Sequence, residues 1–290
     1  MCVSPVTLAP THDHLDSKQF ELAVKHLADS LSYGGDPSIF LGAGNDYVQS
    51  RPYQLGDPVR WIDWRVTGRT GRAHVREFQA TKQTPIYILM DTSASMCVSS
   101  LQMSKYAWGV QLAAGLALVA QERMSPVGML GCGERNIHVK PTLSEARVME
   151  WAHELRHFRL NESTSLGAKI RGLAPSLGAR SILIVISDLH DPEAIDALKL
   201  VSQAHDCVVL QLQDPAERGT VGGGIFRATE AETDRHFVAH GGRPWMPEDV
   251  YLEDLRQAGV DCLLLPTNER FLPKLRQFLK RRVTMARGHS

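Results

Sequence analysis

The stretch Thr84-Pro85-Ile86-Tyr87-Ile88-Leu89-Met90-Asp91-Thr92-Ser93-Ala94-Ser95-Met96 constrains this chain more than any other. Five apolar residues follow a proline and stop at an aspartate. A run with so few polar positions suits a strand covered on both faces of a sheet. Residues 102–121, rich in Ala, Leu and Gly, read as a helix packed between a sheet and its neighbours. Asp91 to Ser95 is then a strand-to-helix loop at the carboxyl edge of a parallel sheet, where open α/β sheets bind ligands.

Asp91, Ser93 and Ser95 sit at alternate positions and offer one carboxylate and two hydroxyls, all hard oxygen donors. Such donors suit magnesium or manganese, and also calcium, better than zinc. The pentapeptide alone admits a second reading, in which Asp91 and the serines only cap the next helix. Completing residues must come from elsewhere. Two candidates follow: Asn161-Glu162-Ser163-Thr164-Ser165 before a short helical run, and the apolar run 181–187, which ends in Asp188.

With these segments the chain resembles the von Willebrand factor A fold, whose metal-ion-dependent adhesion site joins an Asp-x-Ser-x-Ser loop to a Thr and an Asp from later loops. The resemblance implies a site of Asp91, Ser93, Ser95, Thr164 and Asp188, with three hydroxyl donors and two carboxylates that bind directly or through water. Two carboxylates just neutralise a divalent cation. An open coordination position would then attract a carboxylate from a partner.

Between residues 44 and 78 the composition changes. Arg51, Arg60, Arg65, Arg69, Arg72 and Arg76 interleave with Tyr53, Trp61 and Trp64 and with Asp46, Asp57, Asp63 and Glu77. Arginines among aromatics could contact nucleic acid by phosphate pairing and stacking. The intervening acids favour Arg–carboxylate pairs in a structural element or a protein interface, and Arg60, Asp63, Trp64 and Arg76 are the residues we single out for partner contact. The segments 42–47, 51–65 and 75–78 also resemble the signature of a bacterial family called domain of unknown function fifty-eight, in which they directly precede a von Willebrand A-like domain. Gly68 stands where that family usually has alanine, and Thr81-Lys82-Gln83 replaces a more acidic stretch. The resemblance implies a partner class: a MoxR-type AAA+ ATPase, its client protein, or both, engaged through an acidic side chain.

Charge is balanced, with 32 basic and 32 acidic residues, which argues against bulk nucleic-acid binding. Five cysteines, odd in number and without a C-x-x-C pair, read as small buried residues in a reducing compartment. No stretch is apolar over a membrane-spanning length, and we expect a cytoplasmic protein. His153-Glu154-Leu155-Arg156-His157 matches the H-E-x-x-H pattern of zinc hydrolases. On the helix expected from Ser144 to about residue 158, however, Val148, Trp151, Leu155 and Phe158 share the apolar face, which places both histidines on a solvated side.

Further helices are expected at 17–32, 166–176, 192–204, 247–258 and 272–282. Strands are expected at 127–132, 136–139, 181–187, 207–212 and 261–265, with hairpin strands at 225–229 and 236–239. Strands alternating with helices define an α/β class with a mostly parallel, doubly wound sheet. We divide the chain into an N-terminal segment (1–83), a von Willebrand A-like domain (84–267) and a basic C-terminal helix and tail (268–290). No nucleophile with a paired base and no phosphate loop stands out, so the expectation is a binding module rather than an enzyme.

Overall fold

The computed structural model describes residues 15–32, 47–54, 62–78, 84–135, 137–157, 159, 162–178, 180–218, 225–229, 236–240 and 250–287. Helix α1 (Ser17–Ser32) is followed by strand β1 (Tyr47–Pro52), helix α2 (Trp64–Thr70) and strand β2 (His74–Phe78). The α/β part then runs β3 (Ile86–Met90), α3 (Ala94–Cys97), α4 (Lys105–Glu122), β4 (Val127–Gly131), β5 (His138–Thr142), α5 (Glu145–Leu155) and α6 (Leu166–Leu173). After these come β6 (Ile182–Ser187), α7 (Pro192–Val201), β7 (Asp206–Gln213), β8 (Ile225–Thr229), β9 (His236–His240), α8 (Val250–Gln257), β10 (Asp261–Pro266) and α9 (Leu272–Arg287).

Six strands form one sheet in the order β10-β7-β6-β3-β4-β5, parallel except for the edge strand β5. β3 lies in the middle. From it the chain winds outward to β4 and β5, then returns to β6 on the other side, so β3 and β6 flank the topological switch point, where the loops diverge and leave a crevice.

Side chains that alternate along the strands divide the core in two. Ile86, Ile88, Met90, Ile182, Ile184 and Ile186 face α1, α4, α5 and α9, whereas Leu89, Leu183, Val185 and Val209 face α6, α7 and α8. Helix α4 is buried almost all round. Its glycines allow that depth: a Cβ at Gly109 would sit 2.3 Å from the Met90 methyl, and one at Gly115 2.8 Å from Leu27. Helix α1 packs Phe20, Val24, Leu27 and Leu31 into the same core, and α9 adds Leu275 and Leu279. Both helices therefore pack into the core that lies against the sheet.

Several boundaries differ from the sequence reading. α1 keeps its expected bounds and is capped by Asp16, whose carboxylate accepts the Gln19 N–H while Gln19 accepts the Asp16 N–H. α4 begins at Lys105 rather than 102, because the Ser104 hydroxyl accepts the Ala107 N–H, and residues 99–100 are held instead by Asp214. β5 starts at His138, and α9 runs to Arg287, past the expected end at 282. The hairpin β8–β9 forms as expected. In the arginine-rich segment, β1 and β2 pair antiparallel with α2 between them, three elements that the sequence reading did not resolve. Four cysteines, Cys97, Cys132, Cys207 and Cys262, are free and buried, and Cys2 lies outside the described residues.

Candidate metal centre

The register of β3 and β6 sets Met90 beside Ile186, so the residues that follow each strand meet at the sheet edge. The Asp91 N–H donates to the Ile186 carbonyl at 2.9 Å. One Asp91 oxygen accepts the Ser93 N–H at 3.0 Å, and the other accepts the Ser187 hydroxyl at 2.6 Å. Ser187 in turn accepts the Leu189 N–H at 2.8 Å. Leu189 has φ 61°, a left-handed conformation that costs a leucine about 1–2 kcal/mol. Such backbone outliers gather at functional sites, and this one immediately follows Asp188.

Ser93 holds the N-cap position of α3 but makes no side-chain cap bond. Its hydroxyl lies 3.0 Å from that of Ser95, and Ser95 hydrogen-bonds Asp188. The capping reading therefore does not account for Ser93. The loop 162–165 is laced to the same edge: the Ala94 N–H donates to the Glu162 carbonyl at 2.8 Å, and the Thr92 hydroxyl donates to the Glu162 carboxylate at 2.9 Å. Ser165 donates its hydroxyl to the Gly133 carbonyl at 2.8 Å. Thr164, between these anchors, has a buried hydroxyl without a hydrogen-bond partner, as has one carboxylate oxygen of Asp188. A buried oxygen left unpaired requires an explanation. Two such oxygens, one on the loop hydrogen-bonded to the end of β3 and one just after β6, are hard donors of the kind a divalent cation takes.

Charge points the same way. Burial, and then the neighbouring Asp188 carboxylate, push Asp91 up to about 7 against the opposing hydrogen bonds from Ser187 and Ser93. Asp188 is equally buried, which alone would raise it. The charges of Lys105 and His190, with hydrogen bonds from Lys105 and Ser95, outweigh that and hold it at about 2.

Lys105, in the first turn of α4, is wholly buried, and its ammonium lies 2.8 Å from Asp188 and pairs also with Glu217. Those two carboxylates keep it charged against the desolvation that favours the neutral amine. His190 Nδ1 approaches Asp188 at 3.6 Å, and the ligand atoms of Asp188, His190 and Glu217 lie within 4.8 Å of one another. Sequence reasoning missed Lys105 and Glu217, and with them the charge count: the site is not two carboxylates and three hydroxyls alone. One signal was available, since Lys105 is the single charged residue between 104 and 121. Asp191 is a cap, accepting the Glu193 N–H at 2.9 Å, and it also binds the Gly167 N–H at 2.8 Å.

The other candidates fare differently. Val148, Trp151 and Leu155 are buried as expected, and Phe158 lies outside the described residues. His153 is not simply solvated: Nε2 pairs with Glu21 at 3.1 Å, and the ring lies against Phe20. Among the described residues, neither His153 nor His157 belongs to a group placed to hold a metal ion. In the arginine-rich segment Asp63 is 6% exposed and caps α2, accepting the N–H groups of Arg65 and Val66 and the Ser50 hydroxyl. Capping is thus one duty of Asp63. Trp64 is 69% exposed, Arg76 stands in β2 opposite Ser50, and Arg60 lies outside the described residues.

A six-stranded, mostly parallel sheet covered on both faces, with aspartates at its switch point, places the molecule in the α/β class with a doubly wound sheet. More narrowly, the chain belongs to the family described as "Protein of unknown function DUF58", whose model matches residues 49–242. It is 26% identical over 298 residues to "Uncharacterized protein Rv1480" of Mycobacterium tuberculosis, with 94% of this chain and 90% of the relative covered. The same figures hold for "Uncharacterized protein Mb1516" of Mycobacterium bovis. Among solved structures, the VWA domain of SpRpn10 is 12% identical, covering 67% of this chain and 93% of that one at a TM-score of 0.42. The RO (RSR) protein of Deinococcus radiodurans is 15% identical, covering 70% of this chain and 42% of its own at a TM-score of 0.28. Among the described residues no helix is long and apolar enough to cross a membrane.

Proposed function

We propose that this chain is a non-enzymatic interaction module that binds a divalent cation, magnesium or manganese, through Asp91, Ser93, Ser95, Thr164 and Asp188, and uses it to capture an acidic side chain of a partner protein. What supports this reading most is the pair of unpartnered buried oxygens on Thr164 and Asp188, together with an Asp91 carboxylate that burial and Asp188 drive toward the neutral form. A bound cation supplies positive charge and an open coordination position to an incoming carboxylate. The protein's own groups do the rest. Ser187 and the Ser93 N–H orient Asp91, while Glu162 ties the Thr164 loop to the Asp91 loop.

The partner class we propose is a MoxR-type AAA+ ATPase or its client, on the strength of the DUF58 family membership. Isothermal titration of magnesium and manganese into the wild type and Asp91→Ala tests the site: uptake by the first and not by the second is expected, and no uptake by either removes the reading. Pull-down of the ATPase with and without EDTA tests the bridge. Binding that survives both EDTA and Asp188→Ala rejects it.

A further inference from the structure

The ammonium of Lys105 occupies a compartment built for it. It is fully shielded from solvent, 2.8 Å from one Asp188 oxygen and paired on its other side with Glu217. Glu217 is itself held in place, because its second oxygen accepts the Asp214 N–H at 3.0 Å and its own N–H donates to the Asp214 carbonyl at 3.0 Å. Asp214, at the end of β7, accepts the Ser99 hydroxyl at 3.0 Å and the Ser100 N–H at 2.9 Å, which anchors the turn to the segment that follows α3. The close approach of Asp188, His190 and Glu217 is thus already filled by a cation that the chain carries itself.

We propose that Lys105 is a tethered cation that shares Asp188 with the divalent ion and holds down the affinity of the site, with Glu217 as the counter-ion that keeps the ammonium in place when the ion binds. This rests on the reading of Asp91, Ser93, Ser95, Thr164 and Asp188 as the metal centre. Asp188 turns one oxygen to Lys105 and leaves the other unpaired, so one carboxylate can serve both cations from opposite sides. With Asp91 ionised, the three carboxylates of Asp91, Asp188 and Glu217 against the Lys105 ammonium leave two negative charges, which His190 beside Asp188 offsets in part. Removing Lys105 leaves three negative charges and removes a like charge from a site of low dielectric, which favours the ion. Removal of Glu217 leaves one negative charge and strands a buried ammonium beside the incoming ion, which disfavours it. The two substitutions therefore act in opposite directions, whereas a merely structural salt bridge would weaken uptake in both.

Isothermal titration of manganese chloride into wild type, Lys105→Met, Glu217→Gln and Asp91→Ala, with circular dichroism to verify folding, decides the matter. Lys105→Met is expected to tighten manganese binding by about ten-fold or more and Glu217→Gln to weaken it by a similar factor. An unchanged or weaker affinity in Lys105→Met overturns the proposal. Should that variant not fold, an unchanged or tighter affinity in Glu217→Gln overturns it. The metal-centre reading fails separately, by absence of uptake in the wild type.

Discussion

Asp91 and Asp188 follow adjacent parallel strands, and their charges oppose each other, with Lys105 and His190 offsetting the repulsion at Asp188 and Ser187 and Ser93 at Asp91. The pH dependence follows from the signs. Asp91 has a folded-state pKa of about 7, above its unfolded value, so the folded state holds a proton that the unfolded state has lost between about pH 4 and 7. Metal-free protein is predicted to lose stability as pH rises through that window, and Asp91→Asn to flatten the decline, both measurable by urea denaturation in EDTA. Asp188, depressed to about 2, contributes stability above its unfolded pKa that is lost only as pH falls toward 2. A second prediction concerns Gly133. A Cβ there would stand 2.2 Å from a Glu162 oxygen and 2.3 Å from the Thr92 hydroxyl, the bond that joins two loops of the centre. Gly133→Ala should destabilise by about 1–3 kcal/mol and weaken manganese uptake, as thermal denaturation and titration would record.

At the scale of elements, helices carry the burial and loops the chemistry. The helix α5 was legible from the 3.6-residue spacing of Val148, Trp151 and Leu155, all of which are buried. The start of α4 was not, because Ser99 and Ser100 are held by Asp214, a residue more than a hundred positions away that no local pattern reveals. The β1–α2–β2 unit escaped for a similar reason: its composition announced pairing of arginines and acids, but Asp63 is spent on capping α2. α1 packs against α4 although 72 residues lie between Ser32 and Lys105, and its apolar face is buried. Phe20 is fully buried, so Phe20→Ala is predicted to cost about 3–5 kcal/mol in denaturant unfolding. A loss much smaller than that would show α1 to be dispensable to the core.

For the whole molecule, the sheet order matters most, since a chain that winds both ways from β3 opens its crevice where β3 and β6 end. If a divalent ion binds there, it binds the folded state alone, because three loops far apart in sequence supply its donors. Magnesium or manganese at about a hundred times the dissociation constant is then predicted to stabilise by about 2.7 kcal/mol, seen as a rise in melting temperature that EDTA reverses. An unchanged melting temperature in saturating metal would contradict the prediction. The sequence by itself determined the α/β class, the strand ending in Asp91, the second ending in Asp188 and the oxygen-donor character of the loops, because apolar runs and the residues that stop them are local properties. Only the tertiary structure decided that Lys105 and Glu217 stand beside Asp188, and that Thr164 and Asp188 keep unpaired oxygens. Burial and distance between residues remote in the chain set those features, and neither is written in any one segment.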